Sequence, residues 1–140
     1  MDVNHWITKK AVLSGTYKDV DWAVTPGPSG SPNGYFLIPE NHPWRVLTKR
    51  TKTYGSGRKY NLGSDKINAL IWDDYSSWRG EQLIGGAAEL TYSDRDGWVG
   101  FDTQHLCDEV IDWTPELVEE QLKCWIDLLM KVGGTDGGRG

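Results

Sequence analysis

Cysteine is scarce in this chain of 140 residues: Cys107 and Cys124 are the two examples, and they form no CxxC pair. A disulfide-stabilised scaffold is therefore excluded, and the cysteine content favours a reducing compartment. The sequence also lacks any run of about 18 apolar residues, as a membrane span would need, and its first ten residues lack the apolar segment of a signal peptide. We therefore expect a soluble, cytoplasmic protein without a membrane partner.

Phenylalanine and aliphatic residues are also few. Two phenylalanines stand beside eight tryptophans and six tyrosines, and apolar residues make up 38% of the chain. This composition predicts a modest core in which large aromatic rings replace aliphatic side chains. Neither a phosphate-binding P-loop nor a GxSxG nucleophile elbow is present, so the sequence indicates no member of those enzyme classes.

Acidic residues are missing from the segment between Trp44 and Tyr60, although the chain as a whole carries a net charge of −5. That segment contains six basic residues, and removing them from the 15 basic residues leaves nine against 20 acidic ones, a net −11. Such asymmetry predicts an anionic partner at the basic segment, whereas the acidic remainder argues against long nucleic acid. The alternative is a solvated hairpin whose cations pair with the acidic body.

Short strands are predicted through most of the chain, separated by stretches rich in proline and glycine. Residues 5–8, 11–13 and 20–24 predict short strands, or a strand and a turn. Further predictions are a loop over 25–34, a buried strand over 35–38, a strand or short helix over 67–72, extended chain over 87–92, and a strand over 98–101. The Asp96-Gly97 pair predicts a hairpin turn before the last of these.

One long helix is predicted from Thr114 to Val132. Thr114 is a typical N-cap residue and Pro115 suits the first helical position. Apolar residues recur at spacings of four and three, which predicts a stripe that packs on a sheet: Val118, Leu122, Trp125, Leu129 and Val132. The order of elements predicts the α+β class, as a small, mainly antiparallel sheet packed by one long C-terminal helix. We expect one domain over residues 1–132 and a disordered glycine-rich tail over 133–140.

Candidate chemistry lies in two histidine-containing segments that each follow a predicted strand. Asp102, His105 and Asp108 are spaced three apart, so a helical turn would bring them towards one face. With His42 from the earlier segment, they would form a site suited to zinc, manganese or iron. In the structural alternative, Asp102 caps a turn, His105 donates to a carbonyl and Asp108 pairs with a basic residue. The cofactor is left open, with a divalent metal as the candidate.

Three motifs and the capped terminal helix form a recognisable set. The motifs are GYFLIPENHPW from Gly34, GGAAELTY from Gly85 and GWVGFDTQHLCD from Gly97. Together they resemble a family of small tailed-bacteriophage proteins that share a GFD..H..D motif and have no settled activity. Members of that family often carry a histidine before the glycine pair, where Ile84 stands in this chain. The resemblance implies a phage origin, and hence the cytoplasm of a host cell, without implying a mechanism.

Three functions are compatible with these patterns. The first is an accessory protein of the counter-defence or host-takeover type, which binds an anionic nucleotide-like ligand or a host protein. Its expected ligand-binding residues are Trp44, Arg45, Lys49, Arg50, Lys52, Arg58 and Lys59. The second is a small metal-dependent hydrolase built on the metal set above, and the third is a structural or interaction module without a ligand. The sequence leaves the catalytic residues, enzymatic activity and oligomeric state open.

Overall fold

The computed structural model describes residues 2–27, 30–73, 83–104 and 111–133. The helices of this part are α1 (Trp6–Lys10), α2 (Gly63–Asp73) and α3 (Pro115–Gly133), with 3-10 turns at Arg45–Lys49 and Gly85–Ala88. The strands are β1 (Leu13–Tyr17), β2 (Val20–Pro26), β3 (Pro32–Leu37), β4 (Thr51–Thr53), β5 (Lys59–Asn61), β6 (Tyr92–Ser93) and β7 (Trp98–Phe101).

Five strands form one antiparallel sheet in the order β1-β2-β3-β7-β6, and β4 and β5 form a separate hairpin. The long helix α3 packs on the sheet, so the predicted α+β class is confirmed. Gly97 has a φ of 99° in the turn between β6 and β7, which agrees with the hairpin predicted from the Asp-Gly pair.

Helix α3 covers one face of the sheet, called here the α3 face. The hydroxyl of Thr114 accepts a hydrogen bond from the Leu117 amide at 3.1 Å, which confirms the predicted N-cap. Four members of the predicted stripe are fully buried, whereas Val132 at the end of the helix is 37% exposed. Trp125 stacks on Phe36 of β3 and donates from Nε1 to the Ala87 carbonyl at 2.6 Å.

Helix α1 covers the opposite face of the sheet, where Ile7 packs with Ala23, Tyr35 and Trp98 in a second core cluster. The prediction of a strand or turn at residues 5–8 is therefore wrong. The chain turns into a helix because His5 caps it, with Nδ1 accepting from the Ile7 amide at 3.1 Å, and because Ile7 becomes fully buried on the sheet. This helix has only five residues, so tertiary packing decides it.

Other boundaries also differ from the sequence prediction. The expected loop over 25–34 is shorter, because β2 extends to Pro26 and β3 begins at Pro32. The ambiguous segment 67–72 lies in α2, and the expected extended segment 87–92 begins within a 3-10 turn. Residue 133 ends α3, and the rest of the predicted tail, 134–140, lies outside the described residues.

Candidate anion-binding surface

The basic segment folds into the β4–β5 hairpin, whose register defines two faces. Lys52 pairs with Tyr60, and the Tyr54 amide donates to the Arg58 carbonyl at 2.9 Å, which extends the register towards the tip. At the base, the Leu62 amide donates to the Arg50 carbonyl at 2.8 Å. Residues that pair across the two strands lie on the same face of the hairpin, and so do residues two positions apart along one strand. The set on one face, called here the tyrosine face, is Arg50, Lys52, Tyr54, Arg58 and Tyr60.

The other face of the hairpin is tied to the body through Asn61. Its Nδ2 donates to the Thr48 carbonyl at 2.6 Å, and its Oδ1 accepts from the Gly63 amide at 2.9 Å and from the Ser93 hydroxyl at 2.7 Å. These bonds fix the base of the hairpin to α2 and β6. Every residue from 51 to 60 is exposed, so the hairpin projects from the body and the tyrosine face is open to solvent.

Aromatic rings and cations alternate on the tyrosine face. The rings of Tyr54 and Tyr60 meet edge to face, with centroids 4.5 Å apart and an interplanar angle of 80°. Lys52 Nζ lies 5.3 Å from the centroid of Tyr54, and the guanidinium carbon of Arg58 lies 5.1 Å from that of Tyr60. Such contacts are weak at exposed sites, but they favour positions of the long basic side chains close to the rings.

The exposed cations of the hairpin have no carboxylate partner in the part of the chain that the structure describes. Five exposed cations occupy the hairpin and its base: Lys49, Arg50, Lys52, Arg58 and Lys59. Within the described ranges, none of the five forms an ion pair with an acidic side chain. Pairing with the acidic body, the alternative raised by the sequence, is therefore not what this part of the chain shows.

Two residues predicted to bind ligand lie elsewhere. Trp44 is 2% exposed and packs edge to face on His42, so its indole is not available for stacking on a ligand. The Arg45 guanidinium donates from Nη1 to the Ile38 carbonyl at 2.6 Å and packs against Gly97. Trp44 belongs to the main hydrophobic core cluster, and the hydrogen bond to Ile38 holds the Arg45 side chain against the body. Of the three aromatic residues that the sequence interleaves with the basic residues, Trp44, Tyr54 and Tyr60, the two tyrosines are exposed and Trp44 is buried.

His42 is a buried structural histidine. Its Nε2 donates to the Leu129 carbonyl at 2.7 Å, and its Nδ1 accepts from the Trp44 amide at 2.9 Å. Burial lowers the pKa of His42, against the opposing effect of the Leu129 hydrogen bond, so the neutral form is favoured. With both ring nitrogens engaged, a metal ion could bind His42 only after one of these bonds broke.

The remaining members of the predicted metal set are only partly described. Asp102 Oδ1 accepts from the Gln104 amide at 3.3 Å, and its Oδ2 accepts from the Thr91 hydroxyl at 3.4 Å. These contacts match the turn-capping role considered as the alternative. His105 and Asp108 lie outside the described residues. The metal set built on them and His42 therefore stays a prediction.

A third histidine, His5, meets two carboxylates that the sequence analysis did not connect with it. His5 Nε2 lies 2.9 Å from Asp94 Oδ2 and 3.5 Å from Asp96 Oδ2, and one potential ligand atom from each residue lies within 4.8 Å of the others. Three ligand atoms this close together could coordinate one metal ion. Histidine and aspartate are 89 residues apart in sequence, so only the folded topology brings them together.

The hydrogen bonds within this group indicate a structural role instead of a metal site. We call the hydrogen-bonded group of His5, Tyr92 and Asp94 the latch. Asp94 Oδ1 accepts from the amides of Asp96 and Trp98, and its Oδ2 accepts from His5 and from the Tyr92 hydroxyl at 2.7 Å. A carboxylate offers about four lone-pair positions, and all are used. His5 Nδ1 already accepts the Ile7 amide, so its proton is on Nε2 and points at Asp94. The group fastens α1 to the β6–β7 turn.

Comparisons with protein-family models, with curated proteins and with solved structures find no match to this chain. In the part of the chain that the structure describes, no helix combines the length and the apolar character needed to cross a bilayer.

Proposed function

We propose that this chain is a binding protein for an anionic, nucleotide-like ligand and that the tyrosine face of the β4–β5 hairpin receives it. One observation carries the proposal: two exposed tyrosine rings share one face of a projecting hairpin with Arg50, Lys52 and Arg58, three exposed cations that have no carboxylate partner among the described residues. Lysine and arginine side chains neutralise and hydrogen-bond phosphate oxygens, and tyrosine rings stack on bases. The combination matches the two chemical halves of a nucleotide.

A binding role accounts for the described residues better than metal-dependent hydrolysis does. His5 and His42 each use both ring nitrogens within the fold, so neither is free to act as a ligand or a general base. The phage origin and the counter-defence role stay predictions, because they depend on the motif resemblance.

Calorimetry with a nucleotide panel tests the proposal. The panel contains mononucleotides, cyclic nucleotides, an ADP-ribose-type compound and inorganic phosphate, each at two salt concentrations. We expect base-containing phosphates to bind more tightly than inorganic phosphate, and binding to weaken as salt rises because surface charges are screened.

The variant for this test replaces Lys49, Arg50 and Lys52 with Gln. Its matched control replaces three exposed lysines outside the hairpin with Gln, so that both variants lose the same net charge: Lys9, Lys10 and Lys131. We expect the hairpin variant to lose binding and the control to retain it. Equal losses in both variants, or no heat with any member of the panel, would contradict the proposed function.

A further inference from the structure

We infer that the ligand of the tyrosine face is a single-stranded nucleic acid segment, bound a few nucleotides at a time, and not a free nucleotide. The inference rests on the proposed function and names its ligand class. It follows from three features of the hairpin: its openness, the arrangement of its rings and cations, and its distance from the acidic body.

Openness argues for a polymeric ligand. Sites for small molecules are concave and bury about 70–90% of the ligand surface. The tyrosine face belongs to a two-stranded hairpin in which every residue from 51 to 60 is exposed, including Tyr54 at 45% and Tyr60 at 39%. A free nucleotide on this ribbon would bury little surface. A strand that runs across it would add a phosphate contact and a stacking contact with each nucleotide.

The arrangement of side chains matches the alternation of a single strand. Lys52 lies opposite Tyr60, and Arg58 lies opposite Tyr54. In this four-residue patch the two rings are therefore diagonal neighbours, and so are the two cations. Neighbouring same-face positions along a strand are about 6.8 Å apart. A nucleic acid strand that runs along β5, or across the hairpin over one of the two cross-strand pairs, would therefore meet one cation and then one ring. Bases are free to stack on side chains only when they are unpaired, which favours a single strand over a duplex.

The acidic residues outside the hairpin limit how many nucleotides can be bound, but they do not prevent binding at the hairpin. The three residues of β4 span about 10 Å from the base of the hairpin towards its tip. The Debye length at physiological ionic strength is about 8 Å, so a strand at the tip is largely screened from exposed acids of the body. Nucleotides beyond the hairpin would approach that body. We therefore expect a short footprint, in agreement with the argument from the sequence against long nucleic acid.

Fluorescence anisotropy with labelled oligothymidylates tests the inference. The probes are a trinucleotide, a hexanucleotide and a dodecanucleotide, with an oligouridylate hexanucleotide to distinguish DNA from RNA, a dodecamer duplex, and thymidine monophosphate as competitor. We expect affinity to rise from the trinucleotide to the hexanucleotide and then to level off. The hexanucleotide should bind at least tenfold more tightly than the monophosphate or the duplex.

Salt dependence and variants locate the contact. If the three cations of the tyrosine face neutralise phosphates, the slope of log K against log salt is about −2 for a single strand. The variant with Lys49, Arg50 and Lys52 replaced by Gln should lose at least tenfold in affinity, and the Lys9, Lys10 and Lys131 control should not. Tyr54→Leu with Tyr60→Leu should lose about tenfold or more through stacking, whereas Tyr54→Phe with Tyr60→Phe should retain binding. Circular dichroism melts show whether each variant is folded.

The outcomes separate this inference from the proposed function. Equal affinity for the monophosphate and the hexanucleotide, lost in the hairpin variant, would overturn the single-strand inference and leave the proposed function standing. Duplex binding as tight as single-strand binding would also overturn the inference. Failure of every nucleotide and oligonucleotide to bind, or binding that the hairpin variant retains in full, would overturn both.

Discussion

Asp94 is the residue on which the contact between α1 and the β6–β7 turn depends. It accepts two backbone amides through Oδ1, and His5 and Tyr92 through Oδ2. Burial raises the pKa of the Tyr92 phenol, so the hydroxyl keeps the proton that it donates.

Asp94→Asn retains the shape of the side chain but replaces one acceptor oxygen with a donor. We expect the free energy of unfolding to fall by about 1 to 3 kcal/mol, because donors that faced the carboxylate lose their partner. Urea unfolding measures it. Asp96→Asn is the control, since Asp96 is 74% exposed and should change stability by less than about 0.5 kcal/mol. Unchanged stability of Asp94→Asn would show that the latch contributes nothing.

Because His42 is buried, we expect the stability of the fold to depend on pH. Burial holds its pKa in the folded chain below the unfolded value of about 6.5. Below that pH the unfolded chain binds a proton that the folded chain does not, so the contribution of His42 is full at higher pH and is lost as pH falls. The loss continues until pH passes the folded pKa.

The measurement is the melting temperature between about pH 7.5 and 5.5, compared for the wild type and His42→Gln. The amide of Gln can still donate to the Leu129 carbonyl but does not titrate. We expect a steeper fall with acidification in the wild type than in the variant. Identical slopes would mean that the protonation of His42 is not linked to folding.

At the scale of elements, α3 is the one that the sequence predicted best. Its periodicity and its cap are local properties, and Thr114 and the buried stripe are found where the pattern required them. α1 could not be predicted in the same way, since its five residues depend on Ile7 meeting a sheet face formed by later strands. Local patterns fix long elements, whereas short ones depend on contacts distant in sequence.

The same distinction applies to the candidate site. The run without acidic residues in the sequence correctly located the exposed charge of Lys49, Arg50 and Lys52. It could not show which aromatic rings accompany that charge. Strand register places Tyr60 opposite Lys52, whereas Trp44 is buried in the core although it directly precedes Arg45. Sequence adjacency was therefore a poor guide to a shared surface.

Trp125 is the residue through which the packing of α3 on the sheet can be tested. It is fully buried, stacks on Phe36 and donates to the Ala87 carbonyl. Trp125→Ala should lower the free energy of unfolding by about 3 to 5 kcal/mol, because the change leaves a large cavity and an unpaired carbonyl. Urea unfolding measures this, with the partly exposed Val132→Ala on the same helix as control. A loss below about 1 kcal/mol would contradict the packing of α3 on the sheet.

Across the described molecule, stability and the proposed binding function occupy different places. α3 and α1 cover the two faces of the sheet, and the core residues lie between them. The tyrosine face projects from this body, held at its base by Asn61. Replacing Lys49, Arg50 and Lys52 with Gln should therefore change the melting temperature little, because exposed charges contribute little to stability. A large decrease, measured by thermal melting, would show that the hairpin supports the body.

The most direct test of the central claim is a residue-resolved NMR titration of the protein with ATP. A chain of 15.8 kDa is suitable for backbone amide assignment, and the titration detects binding even where affinity is low. We expect chemical shifts to change along residues 49–61, most strongly at Arg50, Lys52, Tyr54, Arg58 and Tyr60. Shift changes centred on other residues, or none at high ATP concentration, would contradict the central claim.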